Sequence, residues 1–329
     1  MRDLALAILV FSSLPLILWR PYYGVLVWSW LSYMSPHRHT WTWAYDMPWA
    51  QIVAITLLIA IVLNPEKKRV PFDSTVAVWI TLLVWMGIST LFAVYQYDAT
   101  VQLIKIAKIQ LVTFLTMLLI TNQERINQLI WVLVASIGFY SVKGGVFTIA
   151  KGGVSRVYGP AGSFIEENNS LALAILMVIP LMVYLWVISK QKLVRYFMPL
   201  AILLSMASVL GSQSRGALLS IMAVAGFFWL KSKTKLLSGV AILILAVFGF
   251  MFMPQSWHDR MDSIRNYQED NSAMGRINAW QYSINIASDR LTGGGLQSWK
   301  SGTFAMYAPD PGHVQSSHSI YFSMLGDHG

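Results

Sequence analysis

The sequence predicts an all-α, polytopic membrane protein. Only 12% of its 329 residues are charged, whereas charged residues make up about one quarter of a typical soluble domain. The mean hydropathy is +0.54, and apolar runs recur along most of the chain, as expected for helices that each need roughly 20 apolar residues to cross a bilayer. The 14 tryptophans and 14 tyrosines fit the aromatic belts found at membrane interfaces.

We interpret the chain as one integral membrane domain, residues 1–329, with about ten spans and the start of an eleventh near Ser319. No repeat period or low-complexity tract divides it. Residues 254–317 form the only long polar insertion. The apolar runs lie at residues 4–19, 22–34, 49–63, 76–95, 101–120, 126–150, 168–188, 196–211, 216–230 and 237–253.

Basic clusters predict which loops share a face of the membrane. Lysine and arginine concentrate in short cytoplasmic loops, and three such clusters fall on one face if every run from residue 49 onward is a single span. The opposite face then carries residues 152–168, the turn at Arg215 and the insertion, while the side of the N-terminus stays open. The clusters are Lys67, Lys68 and Arg69; Lys190, Lys192 and Arg195; and Lys231, Lys233 and Lys235.

Several function classes are excluded by composition and motifs. The net charge of +9 is explained by the cytoplasmic clusters, so we predict no nucleic-acid partner. The lack of cysteine excludes disulfides, thiolate nucleophiles and cysteine-based metal sites. No GxxxxGK[ST], HExxH, GxSxG or DxD motif occurs, so we predict neither a metal nor a cofactor. The N-terminal run lacks a basic leader and a cleavage site, and is predicted to be a retained helix.

Arg215 interrupts two apolar stretches, in the segment GSQSRGALLS. A charge there costs about 2.5 to 3.5 kcal/mol on insertion scales unless it is paired or reaches water. Further cations on the same face would suit a phosphate or pyrophosphate group. The alternatives are that Arg215 reaches the lipid headgroups, or that the arginines pair with acidic residues of the insertion. The cations predicted with it are Arg156 and, just inside the membrane and expected to point into the helix bundle, Lys105, Lys108 and Lys143.

The insertion contains a predicted amphipathic helix, NSAMGRINAWQYSINIASDR, capped by Asn271 or Ser272. Arg276 lies in its first turn and adds to the cations of this face. Three consecutive glycines, at 293–295, end the segment. The residues expected on the apolar face of the helix are Ile277, Trp280, Ile284 and Ala287.

His318 lies where the insertion is predicted to re-enter the membrane, in HVQSSHSIYFSMLGDHG. A neutral imidazole can take a proton from a hydroxyl, an effect worth roughly a hundred- to ten-thousandfold in rate. The alternative is a histidine that only forms structural hydrogen bonds. His313 is a weaker candidate base, and His37 and His39, in SPHRHTW, are interpreted as interface residues.

Four segments in order resemble the O-antigen ligase and polymerase superfamily, and most closely its branch of O-glycosylation ligases associated with the exosortase A system. They are RVYGPAGSFIEENNSLAL, GSQSRGAL, YQEDNSAMGRINAW and SSHSIYFSMLGDHG. The resemblance implies a GT-C-like helix bundle with one large periplasmic insertion, in the bacterial inner membrane. It also implies a chain truncated at its C-terminus, because family members continue for several helices beyond the GDHG segment.

The resemblance further implies a glycosyltransferase that takes a glycan from undecaprenyl pyrophosphate and passes it to an acceptor protein or lipid without a metal. His318 would be the general base on the acceptor hydroxyl, and Arg215 and Arg276 would hold the pyrophosphate. We expect the transfer to invert the configuration of the anomeric carbon. Further contacts with the donor are expected from Arg156, Asn168 and Asn169.

Two alternative functions stay open. A polysaccharide polymerase of the same superfamily would keep the donor and use a growing glycan as acceptor. A transporter of a polyanion or a lipid-linked glycan would use the same cations to line a passage. The transporter predicts positive charge through the full thickness of the bilayer, whereas the cations assigned to the site gather at one face.

Overall fold

The computed structural model describes residues 1–64, 72–262 and 271–329, apart from the side chains of residues 256, 260 and 262. These residues form helices and connecting segments without any strand, which confirms the all-α prediction. The basic cluster Lys67, Lys68 and Arg69 lies outside the described residues. The helices are α1 Arg2–Trp19, α2 Tyr22–Met34, α3 Trp49–Leu63, α4 Ser74–Leu91, α5 Gln96–Leu119, α6 Gln123–Ala150, α7 Asn168–Ile188, α8 Lys192–Gly211, α9 Arg215–Lys231, α10 Lys235–Phe252, α11 Gln255–Asp262, α12 Asn271–Asp289, α13 Ser301–Tyr307 and α14 Ile320–His328.

Each of the ten apolar runs forms a helix, but the described helices differ in their capacity to cross a membrane. Seven of them, α1, α4 to α8 and α10, are long and apolar enough to do so. The other three, α2, α3 and α9, have 13, 15 and 17 residues, and are short against the roughly 20 residues of a full span. The chain is therefore a multi-pass membrane protein in which seven described helices have the length of a span. The count of about ten spans stays a prediction.

The chain divides into two compact units. Unit 1 contains residues 1–67 and 119–261, and unit 2 contains residues 68–118 and 262–329. The interpretation of residues 1–329 as one integral domain stays a prediction.

Unit 1 is built on the antiparallel helices α7 to α10. Three connections of three residues each, 189–191, 212–214 and 232–234, join them, and connections this short reverse the helix direction. The basic clusters at 190–195 and 231–235 therefore lie at one end of unit 1. The opposite end carries the 151–167 segment and the 212–214 turn, and we call it the loop end.

The core of unit 1 is the packing of α6 and α7 against α8. Small residues allow the backbones of α6 and α8 to approach closely, as in many membrane helix pairs. A methyl group on Gly145 would lie 2.1 Å from the Leu204 carbonyl oxygen, and one on Gly211 would lie 2.0 Å from the Thr148 hydroxyl. Gly211, the last residue of α8, therefore lies against α6 directly before the 212–214 turn.

The N-terminus lies at the loop end of unit 1. The Asp3 carboxylate accepts hydrogen bonds from the Thr42 hydroxyl at 2.6 Å and from the Thr42 and Ala44 amides at 3.2 and 3.3 Å. Residues 36–39 form a 3-10 turn, and the Arg38 guanidinium packs against Gly162. The sequence leaves the side of the N-terminus open. In the structure the N-terminus lies at the same end of unit 1 as the 151–167 segment.

Unit 2 is held together by an aromatic cluster beneath α12. Tyr282 stacks on Phe304 with ring centroids 4.4 Å apart, and its hydroxyl donates to the Ser298 carbonyl at 3.2 Å. The α4–α5 hairpin packs in a second cluster, in which Leu296 contacts Met86 and Ala99. The glycines at 293–295 end the α12 segment as predicted, with Gly293 and Gly295 in the left-handed region, where glycine costs least.

The α12 helix forms as predicted, over Asn271–Asp289. On its predicted apolar face, Ile277 and Ile284 are 41% and 42% exposed. The buried residues lie on another face and include polar and aromatic side chains: Gly275, Asn278, Ala279, Tyr282, Ser283 and Ile286. Hydrogen bonds from Asn278 and Tyr282 to neighbouring segments compensate for their burial, so hydrophobic spacing alone does not identify the face that packs against other segments.

Candidate functional site

The 212–214 turn of unit 1 is a buried hub of hydrogen bonds at the loop end. Gln213 is 6% exposed, and its side-chain amide donates to the Gly153 and Val154 carbonyls, each at 3.0 Å. Its backbone is left-handed, with a φ of 54°, which is uncommon for a residue other than glycine. The turn therefore ties the end of α8 to the segment that follows α6.

Two of the predicted donor-contact residues meet this turn. The Arg156 Nε donates to the Gln213 side-chain oxygen at 3.3 Å, and the Asn168 side-chain amide donates to the Ser212 carbonyl at 2.8 Å. Asn169 is exposed beside them, at the start of α7. The structure thus brings Arg156 and Asn168, which are far from Arg215 in the sequence, to the turn directly before it.

Arg215 is the first residue of α9. The preceding Ser214 caps the helix by accepting a hydrogen bond from the Ala217 amide at 3.1 Å. The positive end of the helix dipole and the Arg215 guanidinium lie together here, an arrangement that favours anions. The Arg215 side chain is partly exposed.

The three lysines do not join this turn through any contact among the described residues. Lys143 is exposed on α6, and its charge lowers the pKa of His39. In unit 2, Lys105 and Lys108 are exposed on α5, whereas Leu103 and Ile106 pack toward the core. The expectation that Lys105, Lys108 and Lys143 point into the helix bundle is therefore not met.

In unit 2, the 308–319 segment is fastened to the first half of α12. Asn278 makes three hydrogen bonds with it: its side-chain amide donates to the Asp310 and His313 carbonyls at 2.9 and 3.0 Å, and its oxygen accepts from the Asp310 amide at 2.8 Å. His313 also lies against Gly275. These contacts bond the His313 carbonyl and pack its ring against α12, which indicates a structural role for this residue.

His318 is presented outward by a turn that is bonded on both sides. The Trp280 indole donates to the Ser317 carbonyl at 2.8 Å, and Trp280 stacks on Phe322 with ring centroids 4.9 Å apart. The buried Ser317 hydroxyl bonds the Ser323 hydroxyl at 2.7 Å. His318 itself is exposed and left-handed, with a φ of 47°. A strained backbone that its surroundings hold in place is a frequent feature of functional sites.

Arg276 is connected to this turn through Trp280. It is one helical turn before Trp280 and therefore on the same face, and Trp280 bonds the residue adjacent to His318. Its Nε is buried without a hydrogen-bond partner in the part of the chain that the structure describes. Among the residues that the structure describes, no carboxylate forms an ion pair with Arg276.

Two family models match the chain. Residues 1–190 match a family described as a family of unknown function (DUF5935), which covers more than half of the 329 residues. The protein belongs to this family. Residues 200–329 match the O-antigen ligase family. No curated protein and no solved structure matches the chain.

This DUF5935 protein thus carries an O-antigen ligase domain, which supports its place in the O-antigen ligase and polymerase superfamily. The domain indicates a glycosyltransferase-type membrane enzyme that uses a lipid-linked glycan. Arg215, Arg276 and His318 lie within the ligase match. The turn formed by Gln213 and Ser214 lies there too, whereas its partners Arg156 and Asn168 lie in the DUF5935 match.

Sequence reasoning missed the role of the SPHRHTW segment in this DUF5935 protein. His39 bonds the Tyr140 hydroxyl at 2.7 Å, and burial lowers its pKa, with the nearby charges of Lys143 and Arg2 lowering it further. Two histidines flanking an arginine gave a signal in the sequence. The partner of His39 on α6, Tyr140, is 101 residues away in the sequence, and no spacing rule connects these two residues.

Gln213→Ala tests the hub at the loop end. The substitution removes the bonds to the Gly153 and Val154 carbonyls and to Arg156, and should destabilise the 151–167 segment by about 1 to 3 kcal/mol, since buried polar groups lose their partners. Hydrogen–deuterium exchange of residues 152–160 would measure this as faster exchange. Gln191→Ala, on an exposed side chain at the opposite end of unit 1, is the control and should leave exchange unchanged.

Proposed function

We propose that the protein is a glycan ligase that transfers a glycan from undecaprenyl pyrophosphate to an acceptor hydroxyl, on a protein or on the lipid A core, at the periplasmic face of the bacterial inner membrane. The observation that carries the proposal is that Trp280, one helical turn after Arg276 on α12, donates a hydrogen bond to the carbonyl of Ser317, the residue before His318. Arg276 and His318 both lie within the O-antigen ligase match. The resemblance to ligases associated with the exosortase A system favours protein O-glycosylation.

The chemistry assigned to these residues is an inverting displacement. The acceptor oxygen forms a bond with the anomeric carbon while the bond between that carbon and the diphosphate oxygen breaks. An imidazole nitrogen of His318 takes the proton of the acceptor hydroxyl. The leaving diphosphate keeps the bonding electrons, and Arg276 and Arg215 stabilise its negative charge.

Product analysis tests the proposal. The full chain in liposomes is given an undecaprenyl-pyrophosphate-linked glycan and a candidate acceptor. A ligase yields glycosylated acceptor and free undecaprenyl pyrophosphate. Longer glycans that stay on the lipid would identify a polymerase, and passage of the unmodified glycan into the lumen would identify a transporter; either result overturns the proposal.

Arg215→Ala should weaken binding of the donor by about 10- to 100-fold, because a charge-assisted hydrogen bond to phosphate is lost. Arg215→Lys should recover part of this loss, since lysine keeps the charge but not the planar fork. Binding of a fluorescent undecaprenyl pyrophosphate analogue measures the effect. Arg195→Ala, in the basic cluster at the opposite end of unit 1, is the control. Unchanged binding in both Arg215 variants would remove this residue from the donor site.

A further inference from the structure

His39 is held over one face of α6 at the loop end of unit 1. Its Nε2 lies 2.7 Å from the Tyr140 hydroxyl, and its ring stacks on Tyr140 with centroids 5.9 Å apart and an interplanar angle of 25°. The edge of the ring packs against Phe139 at 6.5 Å. The imidazole therefore has a fixed position and orientation.

The hydrogen bonds also fix which nitrogen of His39 carries the proton. The Tyr140 hydroxyl donates to the Met34 carbonyl at 2.5 Å, so its oxygen must accept the bond from His39 Nε2. In the neutral imidazole Nδ1 then carries a lone pair and no hydrogen. No described residue bonds Nδ1, and burial lowers the pKa of His39, which favours the neutral form at neutral pH.

Lys143 lies on α6, one helical turn beyond the residues that His39 contacts. It lies three and four residues after Tyr140 and Phe139, and so on the same face of α6. Its side chain is exposed, and its charge is close enough to lower the pKa of His39. Among the described residues, no carboxylate pairs with it. A hydrogen-bond acceptor and a cation are thus present on the same side of α6.

We propose that the 36–39 turn and the facing side of α6 form a binding site for an acidic sugar, in which His39 Nδ1 accepts a hydrogen bond from a sugar hydroxyl and the Lys143 ammonium pairs with the sugar carboxylate. The acceptor at Nδ1 requires a ligand with a hydroxyl donor, and Lys143 requires an anion close to that hydroxyl. A uronic acid supplies both on one ring. The choice of a sugar rests on the proposed function, because the glycan is the substrate class that the ligase match implies.

Equilibrium binding to the detergent-solubilised full chain tests the site without any turnover. The probe is an oligosaccharide of glucuronic acid, and the reference is the corresponding neutral oligosaccharide of glucose. Lys143→Gln should weaken binding of the acidic probe about tenfold, and Lys143→Arg should retain it. His39→Gln should also weaken binding, since a glutamine amide can still donate to Tyr140 but offers no acceptor at the Nδ1 position. Lys151→Gln, at the end of the same helix, is the control and should bind as the wild type does.

Each result decides between the site and its rivals. Equal affinity for the acidic and neutral probes, or no effect of Lys143→Gln, would overturn the site. A Lys143-dependent affinity for phosphatidylglycerol nanodiscs, without affinity for the acidic probe, would overturn it in favour of a lipid headgroup. Binding of the acidic probe that depends on Lys143, in a protein that forms no transfer product, would leave the site standing and overturn the proposed function instead.

Discussion

His318→Ala is expected to lower the rate of glycan transfer by about a hundred- to ten-thousandfold, which is the usual contribution of a general base. Binding of the lipid-linked donor should stay close to that of the wild type, because the diphosphate is assigned to the arginines. Single-turnover transfer, with donor and acceptor both saturating, measures the chemical step separately from binding.

The left-handed backbone of His318 calls for a second variant. Alanine could disturb the turn as well as remove the imidazole, whereas asparagine adopts this conformation more readily than most residues. His318→Asn should therefore keep the turn and still lose transfer to the same extent. Recovery of near wild-type rates in His318→Asn would assign the residue to the turn rather than to proton transfer.

His313→Ala is the matched control in the same segment. Its backbone carbonyl accepts a hydrogen bond from Asn278, which alanine would keep, and its ring packs against Gly275. Transfer should fall by no more than the loss expected from slightly looser packing. A loss as large as that of His318→Ala would reverse the assignment of the base to His318.

The helices could be predicted from the sequence because apolar runs in a membrane must bond their own backbone groups. The length of each helix and the face that it buries depend on caps and on hydrogen bonds to distant segments. Arg215 begins α9 because Ser214 caps it, and the resulting helix has only 17 residues. On α12, Asn278 and Tyr282 are buried since partners lie in segments some 15 to 35 residues away. The spacing of residues within one helix therefore cannot predict those partners.

For the candidate site, the sequence predicts residue types rather than geometry. Motifs predict Arg215, Arg276 and His318 individually, cation chemistry predicts Arg156, and their roles stay predictions. The link from Arg156 to the turn before Arg215 passes through Gln213, a residue whose side chain has no distinctive chemistry. The hydrogen bond of His39 was not predictable from the sequence, because its partner, Tyr140, lies within an apolar run that indicates only a membrane span.

Gly145→Ala is expected to destabilise unit 1 by about 1 to 3 kcal/mol, the usual cost of overpacking a well-packed core. A methyl group at this position would lie 2.1 Å from the Leu204 carbonyl oxygen and 2.6 Å from its carbon. These are backbone atoms of α8, so relief requires the two helices to move apart. The apparent midpoint of thermal unfolding in detergent should fall.

Two other glycines of α6 provide control variants for this prediction. A methyl group on Gly144 would meet the Ser208 hydroxyl at 2.3 Å and a Val157 methyl carbon at 2.7 Å, and one on Gly138 would meet nothing within 4 Å. These two contacts of Gly144 are with side chains, which can shift more easily than the backbone of α8, so Gly144→Ala should cost less than Gly145→Ala. Gly138→Ala should leave stability unchanged or raise it by about 0.5 to 1 kcal/mol, since alanine favours helix over glycine. Equal losses at all three positions would show that any methyl on α6 is harmful, and would contradict a specific contact at Leu204.

The same glycine variants test whether the packing of α6 against α8 positions Arg215 at the loop end. The α8 helix ends at Gly211, which packs against Thr148 of α6, and the Gln213 hub follows within two residues. Separation of α6 from α8 by the Gly145→Ala methyl should therefore displace the turn that leads into Arg215. Donor binding should fall in Gly145→Ala and stay intact in Gly138→Ala. If Gly145→Ala loses stability while donor affinity is unchanged, the position of Arg215 does not depend on the α6–α8 contact.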